Sequence, residues 1–255
     1  MRRTPPRSSR SRRPVRWLAA AGIIALFALA WVGGLTLAGE DATRTEPFGF
    51  GVLFGLSVVV GVTWVTFETV SHESNTRLSL PTTITLTRAS LVVVLFGFVL
   101  VGPSAAPTSW IPGALFAAAA VLDLVDGAVA RATDATSETG ARLDVEVDAL
   151  TVLVGAALAV RYGMAPLVFL AVGVARYAFV AGIRVRRRRG LAVHELGAST
   201  VRRGVGAVAM ATIWLALLPV PGQAASRTLA TVVVVPFLLA FLRDWLVVSG
   251  RLDGS

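Results

Sequence analysis

Apolar residues in this chain do not alternate with polar ones; they run on. Eight such runs stand out, about Trp17–Gly39, Phe50–Val70, Ile84–Val101, Ile111–Arg131, Ala141–Val160, Pro166–Ile183, Gly204–Val220 and Thr228–Val248. A membrane-crossing helix needs roughly 20 mostly apolar residues. Each run therefore predicts a transmembrane α-helix, and the chain as a whole an all-α polytopic membrane protein. The runs are rich in Gly and Ala, which lets helices approach closely in lipid. Trp17, Trp110 and Trp245 stand at their ends, where interfacial anchors are expected.

Composition agrees. Of 255 residues, 55% are hydrophobic and 15% charged, and the mean hydropathy is +0.73. A soluble domain carries about 25% charged residues, so a disordered chain is excluded and a soluble globular one is not expected. The absence of cysteine excludes disulfides, thiolate metal sites and cysteine nucleophiles. Two histidines leave a zinc site almost no ligands. The net charge of +9 rests on 24 basic residues, all of them arginine.

The arginines predict the orientation. Seven lie in residues 1–16 and seven between Arg184 and Arg203. Arg77, Arg88, Arg131, Arg142 and Arg251 fall on the same side of an eight-span chain, against Arg44, Arg161 and Arg227 on the other. Positive charge marks the cytoplasmic side, so both termini are expected in the cytoplasm. The N-terminus has the basic-then-apolar order of a signal peptide, but its apolar run is long and lacks a small-x-small end, so a spanning helix is expected. Residues 1–16 read as an irregular basic tail at the membrane surface. The Arg184–Arg189 run has the charge to bind nucleic acid or anionic lipid, but the topology signal explains it with less, and no nucleic-acid partner is expected.

Acidic residues are where the chemistry gathers. Seven of the 15 lie between Asp123 and Asp148, at the ends of two apolar runs. An Asp at mid-helix in a bilayer costs about 2.5–3.5 kcal/mol on insertion scales. Asp123 and Asp126 are three apart, and Asp144 and Asp148 four apart, so each pair shares a helix face. A short connection makes the two helices antiparallel neighbours, and the four carboxylates can converge. Such a group repels itself unless cations sit within it. An all-oxygen set without His or Cys selects Mg²⁺ or Mn²⁺, and four carboxylates suffice for two ions and phosphoryl chemistry. The competing explanation is charge-neutralising pairing with Arg131 and Arg142, which leaves four acids short of cation. Gly127 and Ala130 give a smooth helix face beside Asp126, Arg131 can fork onto a phosphate, and Gly140 precedes Asp144 by one turn.

In full the segment reads Asp123-x-x-Asp126-Gly127-x-x-Ala130-Arg131, eight residues, then Gly140-x-x-x-Asp144-x-x-x-Asp148. It resembles the signature of the CDP-alcohol phosphotransferase family at every fixed position. The resemblance covers residues 78–250, a six-helix core; residues 17–77 form two extra N-terminal transmembrane helices without counterpart in the minimal core. It implies transfer of a substituted phosphate from a CDP-linked donor to an alcohol, with release of CMP. It implies Asp123, Asp126, Asp144 and Asp148 as metal ligands and Asp148 as the general base. Gly127, Ala130, Arg131 and Ser137 would contact the CDP donor. Two Mg²⁺ or Mn²⁺ ions would neutralise the pyrophosphate. Family members are often homodimers, and one is expected here.

Looser likenesses extend this. Pro81-Thr82-Thr83-Ile84-Thr85-Leu86-Thr87-Arg88 is similar to the Pro-Asn-x-x-Thr-x-x-Arg stretch opening the first core helix, with Thr82 at the Asn position. That stretch lies over the nucleotide in the family, which makes Thr82 and Thr85 donor contacts; a helix start with a Thr cap explains the same residues. Arg176 resembles the Arg of an Arg-Glu pair in phosphatidylglycerophosphate synthases, with Tyr177 at the Glu position. Arg176, Arg184, Arg202 and Arg203 are candidate contacts for a phosphate on the acceptor; alternatively Arg176 neutralises an Asp of the cluster. The expected substrates are a CDP-activated lipid and a small polar alcohol in phospholipid synthesis. The alternatives are a CDP-linked head group passed to a lipid alcohol and, in another class, a cation transporter with an acidic site. Transporter sites lie near the bilayer midplane between repeats; these acids lie toward one face, and no repeat is visible.

Overall fold

The computed structural model describes residues 8–69, 80–101, 110–133, 138–197 and 199–252. Among them there are eight α-helices and no strand: α1 (Ser8–Leu37), α2 (Glu46–Thr69), α3 (Leu80–Leu100), α4 (Ile111–Thr133), α5 (Glu138–Arg161), α6 (Leu170–Arg188), α7 (Thr200–Ala216) and α8 (Gln223–Val248). Short 3₁₀ turns at Asp41–Arg44 and Leu167–Phe169 precede α2 and α6. Every apolar run has become one helix. Helix α1 starts at Ser8, inside the basic segment expected to be irregular, and of residues 8–16 only the backbone is described.

Helix ends follow local chemistry. Pro81 and Pro112 sit in the first turns of α3 and α4, where a missing N–H costs nothing. Ser199 caps α7 by accepting from the Arg202 amide. Helix α6 stops at Gly190, whose φ of +67° lets the Leu191 amide turn back to the Arg186 carbonyl at 3.0 Å.

Six helices are long and apolar enough to cross a membrane: α1 from Trp17, α2, α3 from Pro81, α4 to Val129, α6 with its preceding turn, and α8. Helices α5 and α7, also expected to span, fall short of that measure. The first half of α5 carries Arg142, Asp144, Glu146 and Asp148. Helix α7 has 17 residues, the lower bound of about 17 for a spanning helix.

The chain divides into two compact units. The first comprises Met1–Ala106 and Ala114–Thr151, hence α1 to α3, most of α4 and the first half of α5. Helix α3 is its core: Leu86, Ala89, Leu91, Val92, Val93, Val94, Leu95 and Phe98 are inaccessible to solvent. Helix α2 lies on it through Gly51-x-x-x-Gly55. A Cβ on Gly51 would stand 2.5 Å from the Phe96 carbonyl oxygen, and one on Gly55 2.6 Å from the Phe96 Cβ. Such spacing lets two backbones approach, and Phe48 then meets Phe98 edge-on at 5.1 Å. Helix α1 covers both, burying Ala20, Ile24 and Ala28 on one stripe. Trp17 stacks edge-on with Trp64 at 4.9 Å and donates Nε1–H to the Val60 carbonyl.

The second unit comprises Pro107–Gly113 and Val152–Ser255. In it α8 packs on α6 and α7. Gly182 faces the Trp245 ring, which would lie 2.5 Å from a Cβ there, and Phe179 meets the same ring edge-on. The Arg186 guanidinium donates to the carbonyls of Ala192 and Ser249, tying the segment after α6 to the end of α8.

Candidate functional site

Three helices of the first unit build the site. Helix α4 supplies Asp123 and Asp126 from its later turns, and α5 supplies Asp144 and Asp148 from its early turns. Helix α3 supplies Thr85 and Arg88, one turn apart on one face. Helix α3 reaches both pairs: Thr85 and Arg88 between them meet all four carboxylates.

Arg88 is the joint. Its side chain is 1% exposed. One terminal nitrogen, Nη1, donates to Asp123 Oδ1. The other, Nη2, donates to Asp144 Oδ1 at 2.8 Å and to the Asp144 carbonyl at 3.0 Å, and lies 3.7 Å from Asp148 Oδ1. A buried guanidinium is tolerated only where carboxylates and carbonyls replace its water, and this cluster supplies them. The Arg88 Nε is buried without a partner among the described residues.

Asp126 is handled differently. It is 7% exposed, against 36% for the side chains of Asp123 and Asp144. Its Oδ2 accepts from Thr85 Oγ1 at 2.7 Å. Its Oδ1 is buried with no partner among the described residues. A buried carboxylate oxygen without a donor is costly, and its natural complement is a cation or a ligand proton.

These residues fit a hard divalent cation by chemistry: four carboxylates, no softer donor, and one orphaned oxygen. Their arrangement differs from a loaded site. Among the described residues no three acidic or His side chains are disposed to hold a metal ion, and Asp123 and Asp144 are bonded to Arg88.

The other expected site residues are distributed as follows. Thr82 is buried in α3, one turn before Thr85. Neither is a cap; both lie inside the helix, so the capping explanation falls. Gly127 follows Asp126 in α4 and is half-buried. Ala130 and Arg131 continue α4 as backbone, their side chains outside the described ones, and Ser137 lies outside the described residues altogether. Arg176 and Arg184 are on α6 and Arg202 and Arg203 on α7, all in the second unit. Arg202 is engaged there: it pairs with Asp244 at 3.3 Å and donates to the Gly197 carbonyl at 2.8 Å.

The pairing explanation needs one correction. Arg142, a partner for the aspartates in the competing explanation, bonds Glu138 at 2.8 Å on the exposed face of α5, and the side chain of Arg131 lies outside the described ones. Among the described side chains the cation that sits among the carboxylates is Arg88, read from sequence as a topology marker and the end of a motif. The available signal was its place on an apolar helix, three residues after Thr85.

Comparison with known families settles what this arrangement belongs to. The family model of CDP-alcohol phosphatidyltransferase matches residues 78–248, about two thirds of the chain. No curated protein matches it. The chain belongs to the CDP-alcohol phosphatidyltransferase family, whose members are transferases that move a phosphatidyl group from a CDP-alcohol to an alcohol.

Proposed function

We propose that this protein is a metal-dependent phosphotransferase of phospholipid synthesis, working from the cytoplasmic side of the membrane. Its donor is a CDP-activated lipid, such as CDP-diacylglycerol or an ether-lipid equivalent, and its acceptor a small polar alcohol. The observation that carries this reading is the convergence of Asp123, Asp126, Asp144 and Asp148 around α3, inside the segment the family model matches.

Asp123, Asp126, Asp144 and Asp148 would hold two Mg²⁺ or Mn²⁺ ions, which supply positive charge for the donor's pyrophosphate and the departing CMP. The chain's own residues do the rest. Asp148 has the most open carboxylate of the three facing Arg88, at 48% exposure, which suits a base that must meet an incoming alcohol. It takes the hydroxyl proton as the acceptor oxygen bonds to the phosphorus carrying the lipid. The bond from that phosphorus to the CMP oxygen breaks, and CMP leaves with the electron pair. Because the acceptor oxygen attacks the phosphorus directly, no covalent enzyme intermediate is needed, and half-open Asp148 passes the proton on to solvent.

Gly127 and Ala130 leave the face of α4 clear for the donor, with Arg131, Ser137, Thr82 and Thr85 as further donor contacts. Thr85 does this while fixing Asp126. If the acceptor carries a phosphate, the candidate cations remain those the sequence offers, Arg176, Arg184, Arg202 and Arg203, of which Arg202 is engaged by Asp244.

The test is CMP release by purified protein with CDP-diacylglycerol and Mg²⁺, against glycerol 3-phosphate, inositol phosphate and serine. The expected result is CMP with one alcohol, abolished by chelator and by Asp148→Asn. CMP only from a CDP-linked head group with a lipid alcohol would reverse the donor assignment. No CMP from either pairing would overturn the reading.

A further inference from the structure

Among the described side chains of the site, carboxylates outnumber cations. Asp123, Asp126, Asp144 and Asp148 bring four carboxylates, and Arg88 meets three of them with one guanidinium. A purely structural arginine at 1% exposure would be expected to satisfy all its donors. Here Nε is unpaired, and both terminal nitrogens are spent on carboxylate oxygens and one carbonyl. Asp126 meanwhile keeps Oδ1 buried and unpartnered beside them. Among the described side chains, the fold has placed one guanidinium at the centre of a group of four carboxylates.

We propose that Arg88 is the resident counter-ion of this site. It holds Asp123 and Asp144 together while no divalent ion is bound, and it gives up those oxygens when one binds. Metal loading and Arg88 release are then one linked equilibrium. The inference rests on the metal reading above and adds a competitor to it. It follows from exclusivity: Asp123 Oδ1 and Asp144 Oδ1 are the oxygens Arg88 uses, and an ion drawing on them meets a positive charge already in contact. Two cations within a few ångströms repel strongly in a poorly solvated site. Arg88 therefore weakens metal binding and stabilises the metal-free protein, opposite effects that a merely structural side chain would not combine.

The test is a Mn²⁺ titration of the full chain in detergent, followed by the resonance of the free ion, together with melting in chelator. Arg88→Gln is expected to bind Mn²⁺ roughly tenfold tighter or more than wild type, and to melt lower in chelator with a larger recovery on adding Mn²⁺. In Arg88→Ala, millimolar methylguanidine is expected to raise the melting point in chelator and to weaken Mn²⁺ binding by competition. Should Arg88→Gln fail to fold, Arg88→Met serves: it removes the charge and keeps an unbranched apolar stem in the buried position, and tighter Mn²⁺ binding than wild type supports the proposal. Equal or weaker Mn²⁺ binding by the folded variant, or no effect of methylguanidine, overturns it while leaving the metal reading intact. No Mn²⁺ binding by wild type or any variant overturns both.

Discussion

Asp126 shows how the fold assigns different tasks to chemically identical side chains. Thr85 fixes its Oδ2 and leaves Oδ1 buried and free, whereas Asp148 stays half-open. Replacing Thr85 with Val keeps the shape and removes the donor, stranding a second buried oxygen. The expected loss is about 1–3 kcal/mol of stability, read as a lower unfolding midpoint, with Thr85→Ser close to wild type. Asp148→Asn should instead leave the midpoint nearly unchanged and lower CMP release by about 10²–10⁴-fold, the usual worth of a positioned acid or base. Equal stability losses for both substitutions would contradict this division. The quartet itself was legible in the sequence, because spacings of three and four within a helix determine which side chains share a face. The role of Arg88 was not. It reaches carboxylates 35 and 56 residues away, and no local periodicity reports which helix an intramembrane arginine will face. Charge counting weighed only partners nearby in sequence, Arg131 and Arg142, as the competing explanation, and the structure gives Arg142 to Glu138.

Among the elements, α1 and α2 precede the family-matched segment, and their purpose was not legible in sequence. The structure packs both on α3, the helix that carries Thr85 and Arg88. The contact is close because Gly51, Gly55 and Gly97 have no side chains: a Cβ on Gly97 would lie 2.6 Å from the Phe48 ring. Gly51→Leu should therefore push α2 off α3. The expected loss is about 1–3 kcal/mol or more, as for overpacking generally, with reduced transfer activity because α3 is displaced. Gly61 is on the same helix with nothing within 4 Å of its Cβ position. Gly61→Ala should be neutral or gain up to about 1 kcal/mol from helix propensity. Similar losses at Gly51 and Gly61 would mean that α2 does not dock through its glycines. The helices themselves were readable because each is a long apolar run, and continuous hydrophobicity in that length has few other solutions in lipid. Their boundaries were less so. The first half of α5 carries Arg142, Asp144, Glu146 and Asp148, and these charges interrupt the apolar pattern from which spans are inferred.

Across the whole molecule, orientation is the property that places substrates, and it rests on charge. With 24 arginines and no lysine, the positive-inside rule puts the Arg184–Arg203 segment and Arg251 in the cytoplasm and the Asp41–Arg44 turn outside. The assignment holds only if α5 and α7 cross the membrane, and these are the two helices whose length or composition falls short. The cysteine-free sequence makes the test direct, since one introduced cysteine is the only thiol present. In intact cells, a membrane-impermeant maleimide should label Asp41→Cys, Arg161→Cys and Gln223→Cys. It should spare Glu138→Cys, Leu191→Cys and Arg251→Cys until the membrane is opened. All six positions are exposed, so lack of labelling in intact cells reports the side of the membrane rather than burial. Opposite behaviour of residues 138 and 161 requires α5 to cross, and opposite behaviour of 191 and 223 requires α7 to cross. If 138 and 161 label alike, α5 does not span, and the carboxylates would have to meet a water-soluble alcohol from a re-entrant helix. If all six labels invert together, charge has misreported the side while the count of crossings stands. The cytoplasmic assignment of CMP release would then fall, whereas the residues that carry the chemistry would not change.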